Sequence, residues 1–161
     1  MDLITDLPES QGFNAMLTII DHGCLKAAKF IPCNTTITGQ GVAALYLQHL
    51  VPWFGILQKI ISDCDPRFVS NFTTELCRLL NIQQNMSTVF HPRTDGASER
   101  ANQWLEQYLR IWTVDDQTTW AQFLSLAEFV HNSWPHDRTS LTPHELLFRI
   151  KPLFPLSNEE T

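Results

Sequence analysis

Between Met1 and Ile31 the chain sets out three apolar runs separated only by turn-length connections. Strands joined this closely pair antiparallel, because a parallel pair needs a crossover of a dozen residues or more. MDLITDL (1–7) alternates in part and predicts a short first strand. PESQGFN (8–14) is turn chemistry, and AMLTII (15–20) predicts a buried strand. DHGC (21–24) is a tight turn around Gly23, and LKAAKFI (25–31) predicts the returning strand. The chain therefore opens with an antiparallel meander.

The period then changes. Val42, Leu45, Tyr46, His49 and Leu50 recur at helical spacing within Thr38–Leu50, and Pro52 closes the run. LQKIIS (57–62) suits a central strand ending at Asp63. Asn71–Leu80 predicts a helix with Phe72, Leu76, Leu79 and Leu80 on one face and Ser70 as N-cap. Ile82–Met86 offers a fifth strand, and STVFHPRTDG (87–96) reads as a loop. Ala97–Trp112 predicts a long helix behind Asp95, with Trp104, Leu105, Tyr108, Ile111 and Trp112 on its apolar face. Thr119–His131 predicts another helix, with Thr119 and Gln122 fitting a capping box. Thr142, Pro143 and Glu145 make a cleaner box opening a short last helix, and the proline-containing tail, residues 153–161, is expected to fray. A strand reached through a helical crossover should run parallel to its partner. The fold class expected is α/β, a mixed sheet covered by helices.

Length and composition set outer bounds. At 161 residues, 43% hydrophobic and 17% charged, the chain predicts one globular domain with its own core. Its most apolar stretch, Val42 to Ile61, is interrupted by Gln48, His49, Pro52, Gln58 and Lys59, so no membrane span is expected. Cys24, Cys33, Cys64 and Cys77 form no C-x-x-C pair, which points to free thiols in a reducing, intracellular setting. His22, Cys24 and Cys33 fit no common zinc-finger spacing. The net charge of −6 opposes broad electrostatic binding to a polyanion. From Lys59 to Arg110, however, acidic and basic residues balance, so that segment repels a polyanion least.

Three carboxylates carry the chemical reading. Asp2 lies in the first strand, Asp63 at the carboxyl end of the strand after the crossover, and Glu99 in the first turn of the long helix. Ligand sites gather at the carboxyl ends of crossover-connected strands, and a helix N-terminus favours an ionised acid. Three converging hard oxygen donors suit Mg²⁺ or Mn²⁺, and two such ions ~3.5–4 Å apart can polarise a phosphodiester. Each acid taken alone is more often a solvated surface charge.

The runs MDLITDLP, IISDCDPRF, STVFHPRTDGASERANQWLEQYLR and LAEFVHNSW resemble the integrase catalytic core of gypsy-type LTR retrotransposons. Asp63 and Glu99 are separated by 35 residues, the spacing of that family's D,D-35-E triad, and Asp2 stands in its M-D-x-I motif. The resemblance spans Met1 to about Pro152 and implies an RNase H-like fold, a five-stranded mixed sheet with helices on both faces. It implies two steps at one site: water cleaves near the 3′ end of the element's DNA, then the freed 3′-hydroxyl attacks target DNA. Asp2, Asp63 and Glu99 would be both the catalytic and the metal-binding residues, holding two Mg²⁺ ions that Mn²⁺ can replace. His91, Arg93 and Thr94, in the loop before the long helix, and Arg100, Asn102 and Gln103 on it become candidate DNA contacts. A multimer acting on DNA in the nucleus is implied as well.

The sequence departs from the family's pattern in places. Cys64 replaces a usual Arg, Arg93 and Ala97 replace usual Gln residues, and the lysines that retroviral relatives carry on the Glu99 helix are missing at 102, 103 and 106. Asp2 follows Met1 directly, so the first strand reads as truncated and is expected to hold its ligand loosely. The whole reads as an isolated core without its flanking domains. The alternatives are a catalytically inactive remnant that keeps nucleic-acid or subunit binding, and an RNase H-type hydrolase, which the matched motifs favour less.

Overall fold

The computed structural model describes residues 1–153 apart from 22, 24, 57–58, 63–70, 80–88, 93–95 and 137–138. At 59–62, 71, 73, 77, 89–92 and 96–101 it describes the backbone alone. Strands β1 (Asp2–Ile4), β2 (Ala15–Ile20) and β3 (Ala28–Cys33) form the expected meander, ordered β1-β2-β3 and antiparallel throughout. Helices α1 (Gly39–His49) and α2 (Val51–Phe54) follow, then β4 (Lys59–Ser62), α3 (Asn71–Leu79), β5 (Val89–Pro92) and α4 (Gly96–Trp112). A 3₁₀ turn at Gln117–Thr119 leads into α5 (Trp120–Asn132), and α6 (Pro143–Phe148) comes last. β4 and β5 pair in parallel, so the strands form two sheets among the described residues.

Strand alternation decides what each face carries. Ala15, Leu17 and Ile19 of β2, with Ile31 and Cys33 of β3, pack against Val42, Ala43, Tyr46 and Leu50 and against Phe72 and Leu76 of α3. Met16 of β2, with Ala28 and Phe30 of β3, packs against Leu105 and Leu109 of α4 and Trp120, Leu124 and Ala127 of α5. Helices thus cover both faces of the meander. Met1 is buried in the first cluster, and β1 pairs with β2 at each of its residues.

Several local expectations are corrected. The returning strand is Ala28–Cys33 rather than 25–31. It runs through Pro32 because β3 lies at a sheet edge, where a missing N–H is tolerated. Pro52 ends α1 but also opens α2, sitting in the first turn where a helix needs no N–H from it. The strand placed at Ile82–Met86 lies outside the described residues; the strand found is β5, inside the segment read as a loop. Turn residues after it hid the Val89–Phe90 pair, and Pro92 is tolerated at the strand's last position. On α4, Leu105 is buried and Trp104 and Tyr108 pack against the same cluster as expected, but Leu109 completes the face while Ile111 is 72% and Trp112 49% exposed. Leu79 is likewise exposed, and Leu80, Ser70 and Asp95 lie outside the described residues, as do His22, Cys24 and the tail beyond Leu153.

Thr119 makes no capping box. Its hydroxyl donates to the Asp116 carbonyl at 2.7 Å, and Asp116 caps the 3₁₀ turn by accepting from the Thr118 N–H at 2.8 Å. The start of α5 is capped instead from the first loop. Ala121 N–H donates to the buried Ser10 hydroxyl at 3.1 Å, and Trp120 Nε1 donates to the Pro8 carbonyl at 2.7 Å. The box at α6 forms as expected: Glu145 N–H donates to Thr142 Oγ1 at 3.0 Å and Thr142 N–H to the Glu145 carboxylate at 2.8 Å. Thr142→Ala is expected to lower Tm by about 2–4 °C, the shift that about 1 kcal/mol of lost capping gives in a chain this size, read by thermal melting.

Candidate active site

Asp2 is placed by the meander. It pairs with Thr18 of β2, and directly paired residues share a face, so Asp2 stands on the side of Met16, covered by α4 and α5. The buried Thr18 hydroxyl donates to the Asp2 main-chain carbonyl at 3.2 Å, which anchors the strand beneath the carboxylate. On α4, Asn102 lies on the stripe that continues as Leu105 and Leu109, the residues that bury the helix. Its Nδ2 donates to Asp2 Oδ2 at 2.5 Å. An ionised carboxylate accepts only, so the Asn102 amide can be oriented in one way. The Oδ1 atom is left buried, with no hydrogen-bond partner among the described residues.

That contact fixes which face of α4 meets β1. Position 99 lies one helical turn before 102, on the same side of the helix. The Glu99 and Arg100 side chains are outside the described atoms. Asp63 is the residue after the last of β4 and lies outside the described residues, with Arg93 and Thr94. The backbone of His91 pairs with Ile61, two positions before Asp63. Gln103 is exposed. Asn102, one of the candidate DNA contacts, donates to Asp2. Among the described residues, no three His, Cys, Asp or Glu side chains gather as a metal cluster.

Solved structures share this arrangement of elements. The HTLV-2 integrase catalytic core domain in complex with magnesium superposes with a TM-score of 0.63 at 16% identity, covering 91% of this chain and 95% of that one. The catalytic core domain of BIV integrase superposes with a TM-score of 0.61 at 22% identity, covering 92% and 93%. The chain has the integrase catalytic-core fold. A simian T-cell lymphotropic virus intasome, solved with a PP2A regulatory subunit, matches this core at a TM-score of 0.66 and 17% identity, covering 99% of this chain and 59% of that one. In sequence, the core is 36% identical over 152 residues to polyproteins of the transposons Tf2-3 and Tf2-4 of Schizosaccharomyces pombe. The match covers 94% of this chain and 11% of each polyprotein. No protein-family model matches it. The resemblance to retrotransposon integrase cores and the RNase H-like fold class are therefore borne out.

A second polar cluster of the core lies along β3. Lys29 Nζ sits 2.5 Å from Glu128 of α5 and 3.9 Å above the Trp53 ring. Glu128 also accepts from the Phe30 N–H at 3.3 Å. Burial, then the Lys29 charge, lowers the His49 pKa, while Glu128 opposes the shift. Burial lowers His144 as well, with Glu128 opposing and Lys29 assisting. His131, packed edge-on against Phe30 and Trp104, is lowered chiefly by burial, with a hydrogen bond from the ring to the Lys26 backbone opposing and His136 assisting. The folded core thus keeps these rings neutral at pH values where the unfolded chain protonates them. Below the ordinary imidazole value of about 6.5 the unfolded state binds more protons, so stability falls with acidification. Urea midpoints are expected to drop between pH 7.5 and 5.5. His131→Phe, which keeps the ring contacts, should flatten that dependence; an unchanged slope would remove His131 as its source.

Proposed function

We propose that the chain is the catalytic core of a metal-dependent polynucleotidyl transferase that integrates retrotransposon DNA, through 3′-end processing and strand transfer. The observation that carries this reading is the Asn102–Asp2 hydrogen bond, which sets the α4 face bearing position 99 against the strand bearing Asp2. Asn102 donates to the Asp2 carboxylate, Thr18 pins the Asp2 main chain beneath it, and the relatives are retrotransposon polyproteins.

Asp2, Asp63 and Glu99 are the proposed catalytic and metal-binding residues. A hard, all-oxygen donor set of this kind fits Mg²⁺ or Mn²⁺, and the buried acceptor beside Asp2 suits a site that takes further groups. Bound there, two such ions would polarise the scissile phosphodiester and ease ionisation of the attacking oxygen. The chain's own part is to hold Asp2 in one orientation against α4 and to present Gln103 on the open side of that helix. Gln103, His91, Arg93, Thr94 and Arg100 are the proposed contacts to DNA phosphates and bases, with Arg93 suited to pairing with a phosphate. Partners are element-end and target DNA and further copies of the chain, acting in the nucleus. No described helix is long and apolar enough to cross a membrane.

The test is a disintegration assay on branched DNA in Mn²⁺, run with Glu99→Gln alongside. Product from the parent chain and none from the variant supports a working triad. No product from either, with circular dichroism showing an intact fold, would favour the non-catalytic reading.

A further inference from the structure

Two asparagines in this fold are held in different ways. Asn132 is buried and uses both ends of its amide: Oδ1 accepts from the Ala28 N–H at 2.8 Å, and Nδ2 donates to the Ala28 carbonyl at 2.9 Å. That is the pattern of a residue that serves the fold, since no polar atom is left over. Among the described residues Asn102 uses one end only. Nδ2 is committed to Asp2 Oδ2, and Oδ1 is buried with no partner among the described residues. An acceptor left over beside a carboxylate among the described residues contrasts with the fully paired amide of Asn132.

Resting on the function proposed above, we propose that Asn102 is a positioning residue for Asp2. Its N–H locks the carboxylate in the orientation a cation needs. The placement supports this on three counts. The partners are 100 residues apart in sequence, so only the completed fold brings them together. Asn102 shares the buried stripe of Leu105 and Leu109, so the helix that presents it is fixed by packing. The main chain of Asp2 is separately pinned by Thr18, which leaves the carboxylate torsion as the freedom that Asn102 removes. Groups that orient a metal-binding side chain from behind typically change metal affinity or activity about 10–100-fold when removed.

The experiment uses the full chain with Asn102→Ala, Asn102→Leu as a volume-retaining second variant, and Asp2→Ala as the reference without the carboxylate. Mn²⁺ binding is measured directly, by the loss of the free-ion electron paramagnetic resonance signal. In the disintegration assay, the half-saturating Mn²⁺ and the KM for branched DNA are read separately. The Asn102 variants are expected to weaken Mn²⁺ binding and raise half-saturation about tenfold or more, with the DNA KM within about twofold of the parent. In metal-free protein the Tm losses of Asn102→Ala and Asp2→Ala should be less than additive, since both break one bond. A raised DNA KM with unchanged Mn²⁺ binding would make Asn102 a DNA contact and overturn the proposal. A lowered Tm with Mn²⁺ binding and half-saturation unchanged would make its role structural, with the same consequence. If the parent binds Mn²⁺, Asp2→Ala abolishes binding and Asn102→Ala leaves it intact, this inference fails while the proposed function stands. If the parent binds no Mn²⁺, both fail.

Discussion

Asp2→Asn is expected to reduce metal-dependent disintegration and strand transfer at least about 1,000-fold while leaving the fold in place. The substitution keeps the shape of the side chain but removes a charged oxygen from the proposed donor set. Charge stabilisation by a bound cation is worth several kcal/mol, and each 1.36 kcal/mol is tenfold in rate. The fold should survive because an asparagine oxygen at position 2 can still accept from Asn102 Nδ2, and the Thr18 bond uses the main-chain carbonyl, which the substitution leaves alone. Asp63→Asn and Glu99→Gln should have effects of the same order. The measurement is product formation at saturating Mn²⁺ with circular dichroism and Tm in parallel. Activity equal to the parent in Asp2→Asn would remove Asp2 from the ligand set.

Asn132→Ala carries the largest effect expected on stability, about 2–4 kcal/mol. Its amide closes the outer edge of β3 by bonding both the N–H and the carbonyl of Ala28, which is itself buried. Truncation leaves two buried main-chain groups without partners, and each such group costs about 1–3 kcal/mol. Water entering the space left behind would recover part of that cost. In a chain of 161 residues the loss corresponds to a fall in Tm of roughly 5–15 °C. Urea titration should show a lower midpoint at unchanged slope. A fall smaller than that of Thr142→Ala would mean that the edge finds other partners. The edge matters because an open strand invites pairing with another chain, and Glu128 adds a further bond to the Phe30 N–H.

Much of the architecture was legible in local pattern. The short apolar run AMLTII between turn segments placed β2 to the residue, and the spacing of Val42, Tyr46 and Leu50 placed α1, because a helix buried on one face leaves a period in the sequence. The Thr142 box was readable because both of its bonds lie within four residues. β5 was not, since a short strand followed by turn residues has no period to show. The cap of α5 was assigned to Thr119 because a local oxygen was available, but Ser10 supplies it from 111 residues away. Around the candidate site, the Asp63–Glu99 spacing was visible, whereas the tie of Asn102 to Asp2 was not. The one signal was an asparagine on the stripe of Leu105 and Leu109, where an apolar residue is usual.

The sequence by itself determined the antiparallel meander and the switch to helical period, because periodicity and spacing are properties of neighbours along the chain, and its resemblance to retrotransposon integrase cores offered the triad. The tertiary structure alone decided that Asn102 faces a carboxylate, that Ser10 caps α5, and that Asn132 closes the edge of β3. Each is a hydrogen bond between groups about 100 residues apart. Such a bond exists only once packing has set the helices on the sheet, and it leaves no periodic trace in either segment.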